Sequence, residues 1–171
     1  MLPDALHALT AIRATRVFAD RPVPRDLVAA LADTARWTGS ARNRQPWRFV
    51  PVTDPDRRRA LARLGQYALP LAAAPVALVL LSDAEAGHDT EFDLGRVCQT
   101  LVVAAHFAGL GSCPVSLYPE ANAVEAAALV GQAHPWRAHH ALALGWPGQR
   151  PRGRSAIPTG RKDLSEVFVE R

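Results

Sequence analysis

DLGRVCQTLVVAAHFAGLGSCPV, residues 93–115, decides the fold. Phe92, Val97, Leu101 and Ala105 read as one apolar face, which predicts the longest helix of the chain over residues 90–108. Gly109 ends it, because glycine takes the left-handed helix-terminating conformation without steric cost. Residues 112–118, SCPVSLY, follow as a strand. Gly109-Leu110-Gly111 has the first two glycines of a dinucleotide fingerprint, but it follows a helix instead of a strand. Pro114 also stands where the third glycine belongs, so a Rossmann reading is excluded.

Upstream, residues 75–81 (PVALVLL) form a continuous apolar run of strand length. Residues 47–52 read as another strand, followed by a helix opened by Asp54-Pro55, with Leu61 and Leu64 facing inward. A helix from Pro24 to about Trp37 places Leu27, Leu31 and Ala35 on one face. Asp4 caps an N-terminal helix carrying Ala5, Leu9 and Ile12, and the Arg-rich segment 13–23 ends in Pro22 and Pro24. Downstream come a short helix at 122–130, a strand at 139–144 and a weakly alternating segment at 165–170 that would be a last strand. About five helices and about five short strands, without steady βαβ alternation, fit an α+β sandwich better than a doubly wound sheet. Residues 1–171 are expected to form one domain, with 148–171 a basic C-terminal arm.

The composition agrees with one packed globular domain. Hydrophobic residues are 49% and charged residues 21% of 171, which is a globular balance. The apolar run at 69–81 is interrupted by Pro70 and Pro75, and the run at 101–105 is short; both fall below the ~20 residues of a membrane helix. Residues 1–11 carry Asp4 and lack a basic segment followed by an apolar one, so no signal peptide is read and a cytoplasmic setting is expected. Cys98 and Cys113 form no C-x-x-C pair and read as ordinary buried thiols. His139 and His140 are neighbours in a strand and point to opposite faces, so no metal site is expected. The net charge of +4 includes Arg57–Arg59, the arginines of 150–154, Arg161 and Lys162. Such charge suits an anionic ligand. The arm lacks interleaved aromatics, and Trp47 and Trp136 read as buried, so nucleic acid is not an expected partner.

Three polar clusters lie between the apolar elements: Arg13-Ala14-Thr15-Arg16, residues 39–45, and residues 150–162. Each has a plain reading as a solvated helix end, a loop and an arm. Two features go further. Arg13 and Arg16 close a helix where they suit an anion. Asn43-Arg44-Gln45-Pro46-Trp47 sets amides against an aromatic strand start, a place for hydrogen bonds to a flat polar ring.

The order of these motifs resembles the nitroreductase family. IRATRVF with Val23, TGSARNRQPWRFVPV, AAPVALVLL, residues 93–115, LALGWP and GRKDLSEVF all have counterparts there, and the match covers nearly the whole chain. The resemblance implies a sandwich with a central, mostly antiparallel sheet of about five strands flanked by helices. It also implies a homodimer with FMN at the subunit interface and NAD(P)H as co-substrate. Carried across residue by residue, Arg13 falls on a phosphate position, with Ala14 and Thr15 beside it. Arg16 falls at the flavin pyrimidine edge. Ser40 and Ala41 fall on the loop laid down by the partner, and Asn43 and Gln45 match the family amides. Val115, Ser116 and Leu117 fall on the backbone bordering flavin N5. Arg161 matches a terminal phosphate arginine, with Arg154 a rival. A cation near N1 and the C2 carbonyl favours the reduced ring, and nicotinamide and substrate stacking in turn on one flavin face would require no side-chain acid or base and give ping-pong turnover.

Departures accompany the resemblance. Ile12 and Ala14 replace an Arg and a Ser of the family pattern, Gly39 replaces a Pro, and residues 82–90 are too short for a large lid. Two lost phosphate contacts at ~1.5–3 kcal/mol each would weaken FMN binding tenfold or more unless other cations substitute. The resemblance therefore implies an FMN-dependent oxidoreductase acting on nitroaromatics, quinones or related acceptors. The alternatives are a flavin-consuming member of the same fold, such as one that fragments reduced FMN to dimethylbenzimidazole, and a non-catalytic flavin-binding module.

Overall fold

β2 (Val76–Asp83) and β4 (Trp136–Gly145) run antiparallel at the centre of a four-stranded sheet. The computed structural model describes residues 4–149 and 160–170. β1 (Trp47–Val52) pairs with the outer side of β2, and β3 (Gly111–Ser116) with the outer side of β4, giving the order β1-β2-β4-β3 with every pair antiparallel. A strand covered on both faces should be apolar throughout. β2 meets that demand: Val76 to Ser82 are all buried.

Side chains of a strand alternate between faces, so the two faces of the sheet have separate cores. Ala77, Val79 and Leu81 of β2 face one core, filled from α3 (Pro55–Ala62), α4 (Pro70–Ala73) and α6 (Glu120–Leu129). Val76, Leu78 and Leu80 face the other, filled from α2 (Arg25–Ala35) and α5 (Thr90–Phe107). α5 lays Leu94, Val97, Leu101, Val102 and Ala105 on the sheet. α3 starts as its sequence demands: Asp54 accepts the Arg57 N–H at 2.8 Å, and Pro55 occupies the first turn. α1 (Asp4–Ala11) and α7 (Leu164–Val167) lie at the ends of the described chain.

Several expectations are corrected. The sheet has four strands. The segment read as a fifth forms α7, because Asp163 and Glu166 make a reciprocal capping box that satisfies the first-turn N–H groups locally. Phe92 is 71% exposed. It lies about 140° around the helix from Val97, off the buried stripe. α2 ends at Ala35, leaving Trp37 exposed. Trp136 is only half-buried, beneath the Arg48 guanidinium 4.0 Å from its ring centre. Cys98 is half-buried whereas Cys113 is buried, and both are free thiols. Residues 150–159 of the basic arm, including Arg154, lie outside the described residues.

Leu142 on β4 is fully buried against the α2 and α5 layer. Leu142→Ala is expected to cost about 2–5 kcal/mol, the range for a core leucine whose surroundings relax only in part. Urea unfolding should show a lower midpoint with an unchanged slope.

Candidate functional site

β3 has one neighbour, β4, and so leaves a row of backbone groups on its outer edge. Two hydrogen bonds fix which groups these are. Leu117 N–H donates to His139 O at 2.8 Å, toward β4. Thr15 N–H donates to Ser112 O at 2.8 Å, from outside. Alternation therefore turns the N–H of Val115 inward and that of Ser116 outward. Pro114, between Ser112 and Ser116 on the outward row, has no N–H. Two glycines permit the close approaches at this edge. A Cβ on Gly111 would lie 2.6 Å from the Thr15 side chain, and one on Gly65 would lie 2.3 Å from Ser116 O. The Gly65 turn is tied down by Tyr118 N–H and Asn122 Nδ2, both donating to Leu64 O at 3.1 and 2.9 Å.

The outer edge of β3 forms one wall of an open cleft of about 680 Å³. Arg16, Tyr67, Leu69 and Pro70 complete it around Pro114 and Ser116. Arg16 is the cation among the lining residues. Burial pushes the Cys113 thiol up, and Arg16 partly offsets this. Burial also pushes the Cys98 thiol up, to about 11. A mostly apolar cleft with one cation and one outward N–H suits a flat aromatic ligand with an electron-rich edge.

A second hollow, lined by Gly39, Ser40, Ala41, Phe92, Asp93 and Arg96 among others, lies under the 39–45 loop and shares no lining residue with the first. The loop is a tight irregular turn: Arg42, Asn43 and Gln45 have φ of 52°, 54° and 50°. Such left-handed residues cost energy and persist only when their surroundings hold them. The first turns of α5 do so. Asp93, 2% exposed, accepts the Ala41 N–H at 2.8 Å. Arg96 donates to Gly39 O at 2.7 Å, and Asp89 pairs with Arg44 at 2.6 Å. Dehydration opposes ionisation of Asp89, but a backbone hydrogen bond and Arg44 outweigh it and hold the carboxyl below its ordinary value. Within the loop, Gln45 N–H donates to Ser40 Oγ at 2.8 Å.

One chain thus brings Arg16, Val115 and Ser116 to a single cleft and keeps the loop apart from it. Val115 and Leu117 bury their side chains in the core. Thr15 serves the β3 edge, and Ala14 is exposed. Arg13 donates to Thr10 O and Ile12 O at 2.6 and 2.8 Å, outside the cleft lining. Asn43 and Gln45 are exposed and touch each other, Gln45 Nε2 to Asn43 Oδ1 at 3.1 Å. Arg161 is exposed and donates to Gly160 O. Sequence reasoning missed Tyr67, Leu69 and Tyr118, which line the cleft yet are 80%, 74% and 78% exposed. Tyr67 and Leu69 carry a signal, large side chains in a turn where burial cannot account for them; Tyr118 carries none beyond its place at the end of the expected strand.

Asp93→Ala should leave the Ala41 N–H without its partner and destabilise the chain by about 1–3 kcal/mol. Hydrogen exchange at Ala41 should accelerate more than exchange in β2; equal acceleration would deny the loop clamp.

A family model described as the nitroreductase family matches residues 10–73 and 65–146. A "Putative NADH dehydrogenase/NAD(P)H nitroreductase" of Methanothermobacter thermautotrophicus is 30% identical over 125 residues, 71% of this chain and 65% of that protein. An NADH dehydrogenase of Thermus thermophilus is 39% identical over 82 residues, 48% of this chain and 40% of that protein. The chain therefore spans less than two-thirds of either relative's length. Among solved structures, a "putative nitroreductase in complex with fmn" from Desulfovibrio desulfuricans superposes with a TM-score of 0.83 at 24% identity, covering 100% of this chain and 98% of that one. That likeness shows the fold, and the family match, spanning well over half of the sequence, shows membership: the chain belongs to the nitroreductase family.

Proposed function

We propose that this single-domain chain is an FMN-dependent oxidoreductase, active as a homodimer, that passes hydride from NAD(P)H to small electron-poor acceptors such as nitroaromatics and quinones. The observation that carries it is the cleft in which Arg16 shares a wall with the outward N–H of Ser116. The residues present fit FMN. The volume is in the range of small-molecule sites, the walls are largely apolar, and a cation and a donor are available for the ring's polar edge. Arg16 would hold the pyrimidine edge and the Ser116 N–H would face N5. Arg13, Thr15 and Arg161 would serve the phosphate. The neighbouring family structure solved with FMN supports the choice of cofactor.

Bound FMN would accept a hydride from the nicotinamide and release it to the acceptor. Arg16 would stabilise negative charge at the pyrimidine edge. The Ser116 N–H would orient without titrating, and Tyr67 and Tyr118 would shield the mouth from water. One open face serves both substrates in turn, hence ping-pong kinetics. The 39–45 loop, with Ser40, Ala41, Asn43 and Gln45, would complete the site from the second subunit. Surface apolar groups support a dimer: Trp37, Phe92 and Phe107 are 65–76% exposed, and Leu164, Val167, Phe168 and Val169 are 57–76% exposed. These last would wrap the partner. Among the described residues no helix is long and apolar enough to cross a membrane. Two free thiols suit the proposed cytoplasmic setting.

The purified protein should be yellow, and NADH should bleach it under anaerobic conditions. A colourless preparation that takes up no added FMN would overturn the reading. Yellow protein whose flavin is consumed instead of re-oxidised would favour the flavin-fragmenting alternative. Arg16→Ala should slow flavin reduction about 100-fold while weakening FMN binding less, as read by stopped-flow and titration. Equal losses would make Arg16 an anchor only.

A further inference from the structure

The wall of the cleft continues at Ser116 through side chains from other segments. Ser116 stands directly opposite His140 in the β3–β4 register, with Oγ 3.4 Å from His140 Nδ1. Across the ring, His140 Nε2 lies 3.6 Å from Glu91 Oε2 in the first turn of α5. The other Glu91 oxygen accepts a 2.5 Å hydrogen bond from the Ser82 hydroxyl, and Ser82 is buried on β2. Burial works against ionisation of Glu91, but hydrogen bonds to His140 and Ser82, with the charge of His139 and His140 nearby, hold its carboxyl below the usual range. Ser116 lines the cleft, and the His140 side chain is 41% exposed.

We propose that Ser116 is the proton donor of the second half-reaction, with His140 supplying its proton and Glu91 holding His140 in place. This rests on the hydride-transfer reading above. The polarity follows from counting donors. A carboxylate only accepts, so Glu91 keeps the single proton of neutral His140 on Nε2. Nδ1 is then an acceptor, the Ser116 hydroxyl donates to it, and the cleft meets only oxygen lone pairs. When His140 gains a second proton, Nδ1–H donates to Ser116 Oγ and the hydroxyl hydrogen is released toward the cleft. Protonation of His140 thus turns Ser116 from acceptor to donor.

The chemistry balances for a quinone. Hydride brings two electrons and one proton, and one oxygen is left anionic. Ser116 Oγ–H passes its proton to that oxygen as His140 Nδ1–H passes its own to Oγ. His140 ends neutral and regains a proton from water when the product leaves. The groups around the ring are few. α5 contributes Glu91, β2 sets Leu80 opposite, and β3 contributes Ser116. Along β4 the charged neighbours His139 and Arg137 are both paired with Glu120, at 3.3 and 3.0 Å.

The test has two arms on the full-length protein as purified. In ¹⁵N NMR, Ser116→Ala should move the His140 Nδ1 signal and Glu91→Ala the Nε2 signal; if neither moves, the proposal fails. In kinetics, quinone reduction needs the proton and ferricyanide reduction needs electrons alone. Ser116→Ala and His140→Gln should each lower the quinone-to-ferricyanide rate ratio about 100-fold, with Ser116→Thr restoring it. In the wild type that ratio should fall with rising pH, and in His140→Gln it should be flat. Equal losses with both acceptors in a flavin-bound protein overturn the proposal alone. A protein that binds no flavin overturns the underlying reading and the proposal together, even where the NMR shifts appear.

Discussion

An edge strand has two rows of backbone groups and one neighbour to satisfy them. The candidate site is built from that imbalance. β4 takes the inner row of β3, Thr15 takes the Ser112 carbonyl of the outer row, and the Gly65 turn leans on the Ser116 carbonyl. Pro114 removes one outer N–H altogether, which keeps a further strand from zipping along this edge. What remains is the Ser116 N–H beside a cleft. Because the register pins Ser116 to His140, the donor's position is set by the sheet and not by a mobile loop.

Much of this frame is legible in the sequence. The apolar run of β2, the stripe of α5 and its glycine exit are local signals, and local signals survive folding when the tertiary structure agrees with them. The failures have equally specific causes. Residues 165–170 alternate weakly, but the capping pair Asp163 and Glu166 is stronger, and a helical turn forms. Phe92 fits the apolar composition of the stripe, but helical geometry places it outside. Arg16 and Ser116 are singled out by the order of motifs, whereas no periodicity marks Tyr67 and Tyr118, which line the same cleft. The grouping of Ser82, Glu91, Ser116 and His140 could not be read at all, because four separated segments meet only once the sheet register exists.

α5 connects the two hollows. Its first turns carry Glu91 and Asp93, as suits the positive end of a helix dipole. Glu91 reaches across the sheet to His140 beside the first cleft, and Asp93 clamps the loop over the second. The buried stripe of the same helix, Leu94 to Ala105, holds it against β2 and β4. A shift of α5 would therefore disturb both hollows together. In a dimer, where the loop of one subunit serves the cleft of the other, that shared support would keep the two half-sites in step.

The phosphate end of the proposed site is organised differently. Arg13 spends its guanidinium on the carbonyls of Thr10 and Ile12, groups left unpaired where α1 ends. Exchanging these neutral acceptors for a phosphate would strengthen each hydrogen bond, since both partners would then be charged. The exchange also requires an exposed side chain to leave one set of partners and order itself on another, which costs rotamer entropy. Ile12 and Ala14 offer nothing to share that work. Ring recognition at β3 carries no such cost, because its donor is already fixed by the sheet. In this chain the orientation of a flavin would thus come mainly from strand register at the ring, and the phosphate contacts would tune affinity more than geometry.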